Sequence, residues 1–124
     1  MKIHLRDNLP FVRVILNHQG QQLVLQHILL DTGSAGSLFS ADELLKINVC
    51  LEPQDSLRQI RGVGGSEFVF VKTIDSLTVG KLHVEHLSVE VGALDYGFAI
   101  EGILGMNFLL QAKATINLAK LTLT

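Results

Sequence analysis

The stretch Leu29-Leu30-Asp31-Thr32-Gly33-Ser34-Ala35-Gly36-Ser37-Leu38-Phe39-Ser40 sets one acid between an apolar run and a crowd of small residues. The apolar side reads as the end of a buried strand, and the small residues read as a tight turn. Taken alone, an acid followed by Thr-Gly-Ser-Ala-Gly is an ordinary turn whose carboxylate accepts backbone N–H groups. The surrounding chain decides whether it is more than that.

Upstream, residues 11–16 are rich in β-branched side chains, Asn17-His18-Gln19-Gly20 supplies turn chemistry, and residues 22–30 continue as a second strand. This hairpin delivers the chain to Asp31. Downstream, residues 37–39 read as a short strand. Ser40-Ala41-Asp42-Glu43 has the spacing of a capping box, which predicts a short helix carrying Leu44, Leu45 and Ile47. Residues 57–61 and 67–74 flank Gly62-Val63-Gly64-Gly65 and predict a hairpin with a glycine-rich tip. Val79-Gly80-Lys81 predicts another turn, residues 87–91 alternate like a half-buried strand, and residues 92–101 read as a loop. A short helix is expected over 106–111 after Gly105, then strands over 114–118 and 121–124. Many short strands with two short helices indicate a compact, largely antiparallel β protein.

Composition narrows the function. The chain has 124 residues, enough for one domain spanning 1–124 with a hydrophobic core of its own. Apolar residues make up 48% and charged residues 18%, which argues against disorder. A net charge of −2 without a Lys/Arg run makes nucleic acid or an anionic membrane surface a poor partner. No signal-like or membrane-spanning run occurs, which favours a cytoplasmic location, although a removed anchor would leave the same text. The one cysteine, Cys50, rules out an internal disulfide and reads as a core or half-buried thiol.

Three separate segments resemble the retroviral-type (retropepsin-like) aspartic proteases. Leu29-Leu30-Asp31-Thr32-Gly33-Ser34 is similar to the catalytic loop, Ile60-Arg61-Gly62-Val63-Gly64-Gly65 to the flap, and Ile103-Leu104-Gly105 with residues 106–110 to the second apolar-apolar-glycine segment and its helix. They stand in family order at family-like spacing. The resemblance implies a mainly β, closed barrel-like acid-protease fold with a flap hairpin and one or two short helices.

It also implies a chemistry that suits the residue types. Two carboxyl groups in contact cannot both ionise easily, so one stays protonated while the other takes a proton from water. The resemblance makes Asp31 the catalytic residue, with Thr32, Gly33 and Ser34 as loop support. Gly62, Val63, Gly64 and Gly65 become the flap tip, and Ile103, Leu104 and Gly105 the packing under the loop. Asp7, Asp42, Asp55 and Asp75 lack a following Thr/Ser-Gly, and Asp95-Tyr96-Gly97 is only a near imitation. The second aspartate must therefore come from a second copy on a two-fold axis, which is also what the family implies. The expected partners are the chain itself and an extended peptide laid between flap and cleft floor. Val63, Leu38 and Ile103 are candidate pocket walls, each equally readable as core.

No cofactor is needed for this chemistry, and no metal is expected. His83 and His86, three apart in a strand, should point to opposite faces, and His4, His18 and His27 are scattered. The alternatives are a catalytically silent dimerisation or peptide-binding module of the same fold and, below it, a metal hydrolase using histidines with Asp31. Three departures stand out. Asn107 occupies a position where many relatives carry an aspartate or an arginine-like residue, which bears on packing. Ser34 replaces the alanine usual in viral members and matches the two-lobed cellular enzymes, whose serine hydrogen-bonds the aspartate. Residues 1–10 and 118–124 could build a dimer interface, but do not resemble the viral termini.

Overall fold

The hairpins form where short loops accept left-handed backbone. In the computed structural model, which describes residues 1–62, 65–94 and 99–124 (backbone only for 60–62 and 65–67), β1 (His4–Arg6) turns into β2 (Leu9–His18) through Asp7 and Asn8 at φ 52° and 61°. β2 turns into β3 (Gln21–Leu30) through Gln19 and Gly20 at φ 49° and 79°. Paired positive φ values match the right-handed twist of the strands on either side. β1 was not expected from the sequence. Of the residues expected at the flap tip, Val63 and Gly64 lie outside the described residues, as does Asp95-Tyr96-Gly97.

After β3 the chain forms β4 (Leu38–Ser40), α1 (Ala41–Leu45), β5 (Leu57–Gly62), β6 (Gly65–Val79), β7 (Leu82–Gly92), β8 (Gly102–Leu104), α2 (Met106–Gln111), β9 (Ile116–Asn117) and β10 (Thr122–Leu123). The large sheet runs β1-β2-β3-β8-β4-β7-β6-β5, and β2 also pairs with β6 from Ile15↔Thr78 to Asn17↔Ser76. That pairing closes β2, β3, β8, β4, β7 and β6 into a barrel of six strands, with β1 and β5 flanking it. The fold is the mainly β, closed-barrel acid-protease type that the resemblance implied. Two neighbours, β3–β8 and β4–β7, are parallel.

The interior holds Leu16, Leu25, Ile28, Phe39, Leu44, Ile74, Leu77, Leu87, Leu104 and Phe108, all removed from water. A smaller cluster of Phe11, Leu38, Val69, Ile100 and Ile103 forms separately, with Leu29 and Leu94 packed against it.

Several local expectations are corrected. Ser40 stands at the N-cap of α1 but its side chain makes no cap hydrogen bond. Glu43 does not reach back to it: the Ser40 N–H donates to Glu101 O at 3.0 Å, and the Glu43 carboxylate accepts from Lys46 Nζ at 2.7 Å. Leu45 is exposed, and Ile47 is buried beyond the helix end. Cys50 is exposed rather than in the core: Val49, directly before it, takes the inward position. His83 and His86 are both exposed instead of on opposite faces. His86 sits at φ 54°, which resets the alternation between the buried Val84 and Leu87. On β6 the same level shows Ser76 and Leu77 both buried, with the register intact on either side. Both strands thus change face together.

A bulge in β2–β3 between Val12 and Val14 frees two N–H groups of β3. The Glu101 carboxylate accepts both, from Gln26 at 2.9 Å and His27 at 2.8 Å. Residues 1–3 pair with residues 121–123 of the same chain. Ile3 N–H donates to Leu121 O, Leu123 N–H donates to Met1 O, and β10 pairs with β9 on its other side. β10 is thus the middle of a three-part ribbon.

The connection from α1 to β5 is held by an ion cluster. Lys72 Nζ lies 2.8 Å from Asp55 Oδ2 and 2.5 Å from Glu52 Oε1, and Lys72 and Asp55 side chains are each 9% exposed. Hydrogen bonds from Lys72 hold both carboxyls below their ordinary range. Burial pulls the Lys72 ammonium down, but Asp55 and Glu52 outweigh it and its pKa is raised. The depressed carboxyls give a contribution that is complete above their unfolded values and lost as pH falls through the folded ones; the raised lysine loses its part only in strong base. The melting temperature should therefore fall on acidification below about pH 4. Thermal melts of Lys72→Met should show a shallower fall, and an unchanged slope would mean the cluster contributes nothing.

Candidate active site

Asp31 immediately follows β3 and continues its parallel pairing with β8. Its N–H donates to Leu104 O at 3.0 Å, one step past the Leu30↔Leu104 register. The side chain is half-buried. Its Oδ1 accepts the Gly33 N–H at 2.9 Å, and Ser34 N–H donates to Asp31 O at 3.2 Å. A Cβ on residue 33 would stand 3.1 Å from that same Oδ1, so glycine lets the backbone come this close to the acid. Among the described residues no group of the chain takes Oδ2. Thr32 is exposed at the top of the turn.

Ser34 differs from the expectation that it would hold the carboxylate. Its Oγ donates to Gly36 O at 2.8 Å, which tightens the turn on itself.

The loop is seated on α2. The first N–H groups of a helix have no partner inside it, and Gly105 at the N-cap has no side chain to offer. The loop carbonyls take them instead: Met106 N–H donates to Ser34 O at 2.8 Å and Asn107 N–H to Ala35 O at 2.9 Å. Gly105 N–H donates to Ser37 Oγ at 3.0 Å, and Ser37 Oγ donates to Asn107 Oδ1 at 2.7 Å. Asn107 Nδ2 then donates to Ser88 O on β7 at 2.9 Å. A Cβ on residue 105 would fall 1.9 Å from Gly36 O. Ile103, Leu104 and Gly105 thus lie directly beneath the loop, with Leu104 fully buried.

Ser37 and the role of Asn107 were missed from sequence. Ser37 is wholly buried, and a serine inside an otherwise apolar entry to a strand was the available signal. Asn107, read as a departure, carries three hydrogen bonds that join the loop, α2 and β7.

The hairpin of β5 and β6 is in place up to the Gly62↔Gly65 pair. Of the candidate pocket walls, Leu38 and Ile103 are both in the smaller apolar cluster and Val63 is outside the described residues. The histidines are not gathered. His27 Nδ1 lies 3.4 Å from Glu101, His18 Nδ1 3.6 Å from Asp75, and His83 Nδ1 bonds Thr78 Oγ1.

A six-strand barrel with a half-buried aspartate in a turn seated on a short helix defines a domain of the acid-protease class. A family model described as aspartyl protease matches residues 13–108, and the chain belongs to that family, within its retropepsin-like clan. The matched span contains Asp31, the β5–β6 hairpin and Gly105. No curated protein matches the sequence. Among the described residues no helix is long and apolar enough to cross a membrane. Aspartic-type peptide hydrolysis is the activity that this family supports.

Proposed function

We propose that the protein is a homodimeric aspartic endopeptidase, with residues 1–124 acting as one domain and Asp31 of each copy forming the catalytic pair. The observation that carries this reading is the carboxylate of Asp31: one oxygen is fixed by Gly33, and the other has no partner within the described chain. The chain has only one Asp-Thr-Gly, so a second copy supplies the other acid.

In the free pair, one proton is shared between two carboxyls, and the pair, not either residue, owns the titration. The ionised carboxyl takes a proton from the bound water as its oxygen attacks the peptide carbonyl carbon. The protonated carboxyl gives its proton to the carbonyl oxygen, producing a tetrahedral diol. The pair's proton, now on the carboxyl that took it from water, then goes to the nitrogen while a diol hydroxyl returns a proton to the ionised carboxyl. The C–N bond breaks as the acid's C=O re-forms, and acid and amine leave a pair that again holds one proton. Gly33 and the α2 seat keep the carboxylate fixed. Thr32, exposed on the loop, meets the partner's loop in this reading, and the β5–β6 hairpin with its Gly62–Gly65 tip serves as the flap over an extended peptide.

Mixing tests the pairing. Wild type and Asp31→Asn, unfolded together and refolded at a constant total concentration, should give activity that falls as the square of the wild-type fraction. A linear fall would show that a single chain suffices and would sink the dimer mechanism.

A further inference from the structure

One row of cross-strand partners runs over the floor of the site. Phe11 pairs with Leu29, Leu29 with Ile103, Ile103 with Leu38, Leu38 with Glu90, and Glu90 with Val71. Residues directly opposite each other across strands share a face. Leu29 lies two positions before Asp31, so strand alternation puts Asp31 on that face too. The row is apolar except at Glu90.

Glu90 is also tied to the machinery on both sides. Its N–H donates to Ser37 O at 2.9 Å. Its Oε1 stands 3.3 Å from where a Cβ of Gly36 would be, directly against the loop that carries Asp31. The same Oε1 meets Arg58 Nη1 of the flap arm β5 at 3.0 Å. Glu90 is 19% exposed and Arg58 61%. A well-set carboxylate therefore faces a loosely held, solvent-washed cation.

We propose that Glu90 is a specificity-determining residue that receives a lysine or arginine side chain of the substrate, with Arg58 occupying its place in the empty cleft. The inference rests on the protease reading above. Glu90 lies three strands from β3, about 14 Å at the usual strand spacing. An extended peptide advances about 3.3 Å per residue, so a long basic side chain some two to four positions from the cut bond reaches it. Symmetry provides one such carboxylate on each side of the bond. A cation in that place meets a charge-assisted acceptor already desolvated on one side, whereas an acidic side chain meets a like charge.

The two partners should respond with opposite signs. A peptide library is digested by wild type, Glu90→Gln, Glu90→Lys and Arg58→Gln, and the cut sites are read by mass spectrometry. Wild type should favour Lys or Arg at one flanking position by about tenfold in kcat/KM, about 1.4 kcal/mol. Glu90→Gln should erase that preference, Glu90→Lys should turn it toward Asp or Glu, and Arg58→Gln should strengthen it. An identical positional profile in wild type and Glu90→Gln overturns the proposal, as does a wild-type preference for acidic residues. If the Glu90 variants fail to fold, an Arg58→Gln profile equal to that of wild type overturns it as well. Absence of any cleavage that depends on Asp31 overturns the protease reading itself, and this inference with it.

Discussion

Asp31→Asn will fold and dimerise like wild type, and its kcat on any peptide the wild type cuts will fall by at least about 10³-fold. The asymmetry between structure and chemistry comes from what asparagine keeps. Its amide oxygen can still accept the Gly33 N–H that the carboxylate Oδ1 accepts at 2.9 Å. The Asp31 N–H bond to Leu104 is backbone and is untouched. What disappears is the group that holds and releases a proton. In the proposed dimer two amides would meet at the two-fold axis without charge, so the pairing of chains gains if anything. Single-turnover kinetics, a thermal melt and sedimentation together check this. Loss of activity accompanied by loss of fold would show that Asp31 is first a structural turn residue, and activity within tenfold of wild type would remove it from the chemistry.

Gly105→Ala should be the most damaging single-methyl change near the site. The added carbon would sit 1.9 Å from Gly36 O, and also within 2.8 Å of Ser34 O. Both obstacles are backbone, so no side chain can swing away. The loop must lift from α2, which breaks the Met106-to-Ser34 and Asn107-to-Ala35 hydrogen bonds and leaves the buried Ser37 hydroxyl poorly paired. Overpacking costs about 1–3 kcal/mol, and each buried polar group stranded adds about 1–3 kcal/mol. A destabilisation of at least about 3 kcal/mol is expected, which lowers the melting temperature by roughly 10 °C or more at this chain length. Calorimetry measures it. A fall of only a degree or two would mean that the loop is not seated as described.

Features encoded within a few residues were legible in the sequence. The turn after Leu30, the helix after Gly105 and the hairpins at Gly20 and Gly80 each carry local chemistry that allows little else. β1 escaped because three residues give no periodicity; its signal was the Asp7-Asn8 pair, two residues that accept positive φ. β8 is equally short, and nothing local says that it would lie between β3 and β4. Closure through β2 and β6 is a tertiary event, since Ile15 and Thr78 meet only after the whole sheet curls. At the site, Asp31 and its glycine were legible because the acid and the N–H it accepts are two residues apart. Ser37 and Asn107 were not, because their hydrogen bond joins residues 70 apart in the chain. Glu90 was hidden for the same reason: along β7 it reads as the polar half of an alternation, and only the register across β4 sets it beside the loop.

The central place of β10 fixes the order in which the molecule can be finished. Residues 1–3 are synthesised before their partners, residues 121–123, so they stay uncommitted until more than a hundred further residues have followed. Contacts of such separation close late, because loop entropy must be met before they give anything back. Until then the backbone of residues 1–3 offers unpaired N–H and C=O groups to any other chain nearby, and the same groups become unavailable once β10 lies between them and β9.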